Sequence, residues 1–173
     1  MRIYLVGFMG SGKSHTGRQL AQLLGYPFLD LDALIEERAG IDIPAIFARE
    51  GESGFRRRER EALHSTRQLE EIVVACGGGA PCFFDNMDWM NRNGLTVYLE
   101  APVEVLAQRL TPGREHRPLI AELSENELPA FIEEKLAGRD PVYRQSQILF
   151  SQGAANEEIA GALRKAIERF QKD

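Results

Sequence analysis

The chain has 173 residues, 43% of them hydrophobic, which is enough for one domain with a sizeable core. Its 21 Lys and Arg residues and 26 Asp and Glu residues give a net charge of −5, which argues against a general nucleic-acid or anionic-membrane binder. Two cysteines are too few for a disulfide framework or a CxxC zinc site. The N-terminus lacks a signal-peptide pattern, and no apolar run approaches the roughly 20 residues of a membrane span. We therefore expect residues 1–173 to form one cytoplasmic domain that binds neither nucleic acid nor a membrane.

Short strands and helices alternate along the chain. The apolar pattern predicts strands at 3–6, 27–31, 72–76, 95–99 and 148–150. It predicts helices at 13–24, 33–38, 43–49, 55–69, 103–110 and 130–136, and a last helix that Asn156 could cap, with Ile159, Leu163, Ile167 and Phe170 as its buried stripe. This alternation is typical of parallel βαβ units with helices on both faces of the sheet. Ligands bind beyond the carboxyl ends of such strands.

Residues 7–14, GFMGSGKS, match the pattern G-x-x-x-x-G-K-[ST] between a predicted strand and a predicted helix. Glycines in this pattern let backbone N–H groups converge on phosphate oxygens, and the helix N-terminus adds positive partial charge. We expect Lys13 to reach the β- and γ-phosphates and the Ser14 hydroxyl to ligate Mg²⁺. The alternative is a glycine turn that happens to carry a lysine, but the context favours a nucleoside triphosphate site.

Two carboxylates, Asp30 and Asp32, follow at the second predicted strand, where period-two alternation would place both on the same side of an extended segment. One could support Mg²⁺ through water, and the other could accept a proton from an attacking hydroxyl or orient it. The alternative is a solvated pair at the strand end, one of which caps the next helix. The neighbouring phosphate motif favours the functional interpretation.

The arginines of the stretch 55–61, FRRRERE, form the densest basic cluster, but its glutamates and the lack of an aromatic platform argue against nucleic acid. Arg56 and Arg60 share a predicted helix face, and Glu59 can pair with Arg56. Spacing alone favours a solvated charged face over an inward arginine that binds a substrate carboxylate. Arg139, in the sequence RDP, is more typical of a helix C-terminus.

Two loops are candidates for ligand contact. Three glycines at 77–79 follow a buried strand and would let a ligand approach the backbone closely, although a plain loop is the alternative. The stretch 111–118 is rich in Pro, Gly and charge and predicts a mobile loop, with Arg109, Arg114 and Arg117 in or beside it. Arginines on a closing loop can stabilise transition-state charge and exclude water, whereas an ordinary polar surface loop would do neither.

Taken in order, these motifs resemble those of the shikimate kinases, small P-loop enzymes of the nucleoside monophosphate kinase-like fold. The resemblance rests on GFMGSGKS (7–14), FLDLD (28–32), GFRRRE (54–59), GGG (77–79), RPL (117–119) and RDPVY (139–143). It implies a three-layer α/β/α sandwich with a central parallel five-stranded sheet, a substrate-binding region at about 33–61 and a mobile lid at about 110–124. It also implies a monomer that transfers the γ-phosphoryl group of ATP to the 3-hydroxyl of shikimate with Mg²⁺, in chorismate and aromatic amino acid biosynthesis.

The resemblance implies roles for individual residues. Lys13, Asp32 and Arg117 would be catalytic, with Asp32 as base or orienter, and Ser14 and, through water, Asp30 would hold Mg²⁺. ATP would contact Gly10, Ser11, Gly12, Lys13, Ser14, His15, Arg109 and Arg117. Shikimate would contact Asp32, Phe47, Phe55, Arg56, Gly78, Gly79 and Arg139, and Glu59 would orient Arg56. For Arg56 and Arg139 this reverses the interpretation that spacing alone favours.

Some positions depart from the family pattern. His15 stands where the family usually has Thr, and residues 151–156, expected to border the adenine, match the family poorly. Other small-molecule kinases, such as gluconate or nucleoside monophosphate kinases, are the first alternative, and the pair GFRRRE and RDPVY argues against them. A nucleotide switch or ATPase module is the second, although a guanine-reading N-K-x-D motif is absent. A non-catalytic relic is the third, and it predicts lost catalytic groups, yet Lys13, Asp32 and Arg117 are all present.

Overall fold

The sheet of the computed structural model, which describes residues 1–114, 119–152 and 158–172, has five parallel strands. They are β1 (Arg2–Val6), β2 (Phe28–Asp30), β3 (Ile72–Ala75), β4 (Leu95–Glu100) and β5 (Ile148–Ser151), in the spatial order β2-β3-β1-β4-β5. The register pairs Ile3 of β1 with Val73 of β3 and with Leu95 of β4. Because every pairing is parallel, all five carboxyl ends lie at one edge of the sheet.

Helices cover both faces of the sheet. They are α1 (Lys13–Leu24), α2 (Leu31–Ala39), α3 (Ile43–Ser65), α4 (Asn86–Asn93), α5 (Val103–Leu110), α6 (Leu128–Tyr143) and α7 (Ile159–Phe170), with short 3₁₀ turns at Thr66–Gln68 and Ala80–Cys82. The expected three-layer α/β/α sandwich with a five-stranded parallel sheet is confirmed. In the part of the chain that the structure describes, no helix is both long and apolar enough to cross a membrane.

The central strand β1 shows why the sheet is buried on both sides. Its side chains alternate between two apolar clusters, with Tyr4 and Val6 in one and Ile3 and Leu5 in the other. The first cluster packs under α2 to α6, and the second packs under α1 and α7. A near-continuous apolar run such as IYLV is what a strand covered on both faces requires.

Several predicted elements differ from the observed ones. Residues 43–65 form one helical stretch that is interrupted only at Gly51, where φ is 68°, so the predicted gap between the helices 43–49 and 55–69 is shorter than expected. The prediction of a helix C-cap at residues 139–141 is wrong, because α6 continues to Tyr143 with Pro141 in its last turn. A proline there removes one hydrogen bond but leaves the final bond from Arg144 N to Asp140 O intact. Helix α4 was not predicted from the sequence.

The last helix begins at Ile159, and its predicted cap Asn156 lies outside the described residues. Leu163 and Ile167 are buried as expected. Phe170, the last member of the predicted stripe, is 44% exposed at the C-terminal end of α7.

Candidate active site

The phosphate-binding motif forms the loop between β1 and α1. Gly12 stands just before α1 with φ 87°, a left-handed conformation that glycine adopts without strain. The Lys13 Nζ atom donates to the carbonyl oxygens of Gly7 and Phe8, both at 2.8 Å, and so spans the loop. Burial lowers the pKa of Lys13 to about 8, although the charges of Asp32 and Asp30 oppose the shift.

Asp30 and Ser14 bring two oxygen groups together beside this loop. The Ser14 hydroxyl donates to Asp30 Oδ2 at 2.6 Å, and Asp30 Oδ1 accepts from the backbone N–H groups of Asp32 and Ala33. Asp30 therefore caps α2, as the alternative interpretation held. The prediction that both carboxylates share one side of an extended segment is wrong, because the chain turns into α2 at Leu31 and Asp32 lies in its first turn.

A cavity of about 390 Å³, the phosphate-loop cavity, collects these groups. Its lining comprises Met9, Gly10, Gly12, Lys13, Ser14, His15, Asp30, Asp32, Ala75, Cys76, Gly77 and Gly78. Hydroxyl and carboxylate oxygens are ligands that suit Mg²⁺, so Ser14 and Asp30 fit an ion that would take its remaining ligands from phosphates and water. Within the described ranges, no cluster of three or more His, Cys, Asp or Glu residues is arranged to bind a metal unaided.

Asp32 is partly buried in the first turn of α2. Burial, followed by the negative charge of Asp30, raises its pKa, and Lys13 opposes the shift. Asp32 lies against the glycine loop 77–79, since a Cβ added at Gly77 would be 2.9 Å from its Oδ1 atom and 3.1 Å from Glu59 Oε1. Two carboxylates from different helices, α2 and α3, therefore meet at this loop.

Arg56, on α3, points inward. Its Nη1 donates to Glu59 Oε2 at 2.8 Å, and the two side chains are 11% and 1% exposed. The solvated-face interpretation of this residue is therefore wrong, because α3 packs this face against the glycine loop. Burial raises the pKa of Glu59 to about 7, although Arg56 opposes the shift.

Two contacts fix the plane of the Arg56 guanidinium. Its Cζ lies 4.0 Å from the ring centroid of Phe83 and 5.0 Å from that of Phe55. On the other side, a Cβ added at Gly79 would lie 2.6 Å from Arg56 Nη2, so a side chain at position 79 would displace the guanidinium. Sequence reasoning missed Phe83, since nothing in its spacing connects it to α3.

Arg139 and Tyr143 approach the same loop from α6. A Cβ added at Gly78 would be 3.5 Å from Arg139 Nη1, and the Tyr143 hydroxyl donates to Gly78 O at 2.5 Å. The two arginines help to line a cavity of about 280 Å³, the arginine cavity. Its lining comprises Phe8, Met9, Phe47, Glu52, Arg56, Leu119, Phe131, Lys135 and Arg139. Phe55 is buried beneath it and packs on Phe47 with ring centroids 4.7 Å apart.

A third cavity of about 390 Å³, the His15 cavity, adjoins the phosphate loop at Gly12 and His15. It is lined by Gly12, His15, Thr16, Gln19, Arg109, Gln152, Glu158 and Ile159. Arg109 Nη1 donates to Gly10 O at 3.2 Å and to Gln152 Oε1 at 3.0 Å.

A family model described as shikimate kinase matches residues 9–168. The chain belongs to the shikimate kinase family. A shikimate kinase from Parabacteroides distasonis is 48% identical over 149 residues, 86% of either chain. A crystal structure of shikimate kinase from Bacteroides thetaiotaomicron has a TM-score of 0.91 at 39% identity and covers 97% of this chain and 98% of that one. Shikimate kinase from Acinetobacter baumannii in complex with shikimate has a TM-score of 0.83 at 38% identity, covering 97% and 90%.

Membership in the shikimate kinase family confirms the expected ATP-dependent kinase that uses Mg²⁺. The structure gathers Lys13, Asp32, Arg56, Gly78, Gly79 and Arg139 around one cleft, with Gly10, Gly12, Ser14 and His15 along the phosphate loop. Ser11 is buried in that loop, and its carbonyl accepts from Gln152 Nε2 at 2.8 Å. Arg117 lies outside the described residues. Gln152 was also missed, because its partners Arg109 and Ser11 lie 43 and 141 positions away in the sequence.

Proposed function

We propose that this cleft transfers the γ-phosphoryl group of ATP to the 3-hydroxyl of shikimate, giving shikimate 3-phosphate and ADP. One observation carries the proposal: Arg56 and Arg139 lie against the same glycine loop that borders the phosphate-loop cavity. A carboxylate-binding site and a phosphate-binding site therefore share one wall. A small acid with hydroxyl groups fits that arrangement, and family membership supports shikimate as the acid.

Arg56 and Arg139 bind the shikimate carboxylate in this proposal. A guanidinium matches a carboxylate with two parallel hydrogen bonds, which fixes both position and orientation. Glu59 holds Arg56 through the bond to Nη1. Phe47 forms an apolar wall for the ring, Phe55 supports Phe47, and the glycine loop lets the substrate approach the backbone at Gly78 and Gly79.

The phosphate loop and Lys13 bind the triphosphate. Backbone N–H groups of residues 10–15 and the N-terminus of α1 carry the partial charges that attract it. Ser14 would hold Mg²⁺ directly and Asp30 through water, and the ion neutralises phosphate charge when bound. Arg109 and His15 border the ribose and adenine side of the nucleotide. Arg117 contacts the transferring phosphate from the lid in the same proposal.

Asp32 accepts the proton of the attacking 3-hydroxyl or orients that hydroxyl. The hydroxyl oxygen forms a bond to the γ-phosphorus, and the bond from that phosphorus to the bridging oxygen breaks, leaving its electron pair on ADP. The raised pKa of Asp32 makes its carboxylate a stronger proton acceptor than a solvated aspartate. Its place beside Gly77 in the phosphate-loop cavity suits either role.

We also propose that the protein is a cytoplasmic monomer that binds neither nucleic acid nor a membrane. A net charge of −5 on the whole chain supports the absence of a general polyanion-binding role. The single-domain organisation, with a substrate-binding region at about 33–61 and a lid at about 110–124, is proposed on the same basis.

An acceptor panel with coupled detection of ADP tests the reaction. Shikimate should give turnover far above the ATPase background, while gluconate and nucleoside monophosphates should not. If gluconate or a nucleotide supported turnover and shikimate did not, the substrate assignment would be wrong. Nucleotide binding without affinity for any polyol would instead favour a switch or an ATPase module.

A further inference from the structure

Gln152 joins three segments that meet beside the phosphate loop. It directly follows β5, and its backbone N–H donates to Glu100 O on β4 at 2.9 Å. Its side chain leaves the sheet and reaches two other elements: Nε2 donates to Ser11 O at 2.8 Å, and Oε1 accepts from Arg109 Nη1 at 3.0 Å. Only 5% of the residue is exposed, and its bond to Ser11 is buried, while its bond to Arg109 is partly buried.

The two partners of Gln152 determine which side chain can stand there. A guanidinium only donates and a peptide carbonyl only accepts, so the residue between them must do both. The same logic fixes the orientation of the amide, with its oxygen toward Arg109 and its nitrogen toward Ser11. An ionised glutamate would satisfy Arg109 but place a second acceptor against the Ser11 carbonyl. An apolar side chain would leave both partners without this bond.

Arg109 depends on this contact for its position. Its Nη1 is shared between Gly10 O at 3.2 Å and Gln152 Oε1 at 3.0 Å, so the guanidinium is bound to the phosphate loop on one side and to Gln152 on the other. Both Arg109 and Gln152 line the His15 cavity. A long arginine side chain loses considerable rotamer freedom when fixed in one geometry, and a buried acceptor that fixes it in advance spares the ligand that cost.

We propose that Gln152 is a positioning residue for the nucleotide: it holds Arg109 and the phosphate loop in the arrangement that binds ATP and ADP. The inference rests on the proposed role of the His15 cavity in nucleotide binding. Gln152 acts through Arg109 and Ser11 rather than through shikimate, because the arginine cavity and the His15 cavity have no lining residue in common.

Two substitutions separate the hydrogen bonds. Gln152→Met keeps an unbranched side chain of similar size and removes both bonds, and Gln152→Glu keeps an acceptor for Arg109 and loses the donor to Ser11. We expect ADP to bind about tenfold more weakly or worse to the Met variant, because the partly buried hydrogen bond that holds the charged Arg109 guanidinium is lost. The KM for ATP should rise by a similar factor, while the dissociation constant for shikimate should stay unchanged. The Glu variant should also bind ADP more weakly.

Gln147→Met is a matched control. Gln147 lies at the other end of β5, and its Nε2 also donates to backbone carbonyls, those of Asn91 at 2.9 Å and Gly94 at 3.4 Å. The Gln147→Met variant should bind ADP with the same affinity as the parent. A general loss of packing would instead lower the melting temperature of a variant and weaken both ligands together.

Calorimetric titrations with ADP alone and with shikimate alone measure the two dissociation constants in the absence of turnover. If both Gln152 variants bound ADP as tightly as the parent, or lost affinity for shikimate equally, the inference would be overturned. Were the Met variant to unfold, the Glu variant alone would decide between these outcomes. A parent protein that binds ADP but does not phosphorylate shikimate would disprove the proposed function and leave the test of Gln152 intact.

Discussion

In the phosphate-loop cavity half of the lining residues come from one contiguous stretch, residues 9–15, whereas the arginine cavity draws mainly on α3, α6 and the loop after β1. The first site relies on backbone N–H groups and one lysine, and its geometry is local. The second relies on long charged side chains that neighbouring residues hold in place. Substitutions around the first site should therefore change mainly turnover and nucleotide affinity, and those around the second should change mainly the affinity for the acid substrate.

The largest expected effect tests whether Asp32 belongs to the chemistry rather than to either binding site. Asp32→Asn keeps the shape of the side chain but removes the proton acceptor, so kcat should fall by roughly 10²–10⁴-fold. Affinity for ADP should change little, because Asp32 only borders the nucleotide. Steady-state kinetics and ADP titration measure the two effects.

Asp88→Asn is the control for this change, since Asp88 also lies in the first turn of a helix but is 69% exposed. It should leave kcat at the parent value. An unchanged kcat in Asp32→Asn would remove Asp32 as base or orienter.

The second prediction tests whether the arginine cavity is specific for the acid. Arg56→Ala removes one partner of a buried, hydrogen-bonded charge pair and should weaken shikimate binding by about 2–5 kcal/mol, roughly 30-fold or more. ATP affinity should change by less than about twofold. Shikimate and ATP titrations compare the two affinities directly.

Arg58→Ala offers the matched comparison on the same helix, because Arg58 is 39% exposed and pairs with Glu50. Exposed pairs contribute about 0–1 kcal/mol, so this variant should resemble the parent in both affinities. Equal weakening of shikimate and ATP by Arg56→Ala would contradict the separation of the two sites.

The third prediction concerns the buried carboxylate that holds Arg56. Its folded pKa of about 7 lies above the ordinary value of 4.5, so between these values the native state binds more protons than the unfolded state. The contribution of Glu59 to the free energy of unfolding should therefore fall as pH rises from about 4.5 to 7, by roughly 3 kcal/mol. Gln does not titrate, so Glu59→Gln should remove this pH dependence.

Urea unfolding at several pH values between 4.5 and 7.5 checks the slope. The difference in the free energy of unfolding between the parent and Glu59→Gln should change across this interval. The Glu61→Gln variant, at an exposed position of the same helix, should show the same pH dependence as the parent. Parallel curves for the parent and Glu59→Gln would show that Glu59 does not titrate in this window.

The contrast between a local site and a site assembled from distant segments also explains which residues could be predicted from the sequence. The phosphate loop could be predicted because its chemistry lies in eight consecutive residues between a strand and a helix. The inward direction of Arg56 could not be obtained from spacing, because a charged helix face and a buried arginine share the same pattern until tertiary packing decides. The expectation that Asp30 and Asp32 share one side of an extended segment is wrong, because the backbone turns into α2 at Leu31 although the sequence pattern does not mark that turn.

Contacts between distant segments were the least predictable. Phe83 meets Arg56 across 27 positions, and Gln152 meets Ser11 across 141, so no local period relates them. Family resemblance supplied the roles of Arg56 and Arg139, which spacing alone did not. The resemblance was weakest at residues 151–156, the segment that contains Gln152.

The smallest expected effect concerns the contact between the Phe83 ring and the Arg56 guanidinium of the arginine cavity. Phe83→Leu keeps an apolar side chain but removes the ring that lies 4.0 Å from the Arg56 Cζ. Loss of a cation–π contact should weaken shikimate binding by about 1 kcal/mol, or about fivefold, with ADP binding unchanged. Phe84→Leu is the control, because Phe84 is 56% exposed and its ring lies near Arg60 instead. Equal shikimate affinities in the two variants would mean that Glu59 and the glycine loop fix Arg56 without help from the Phe83 ring.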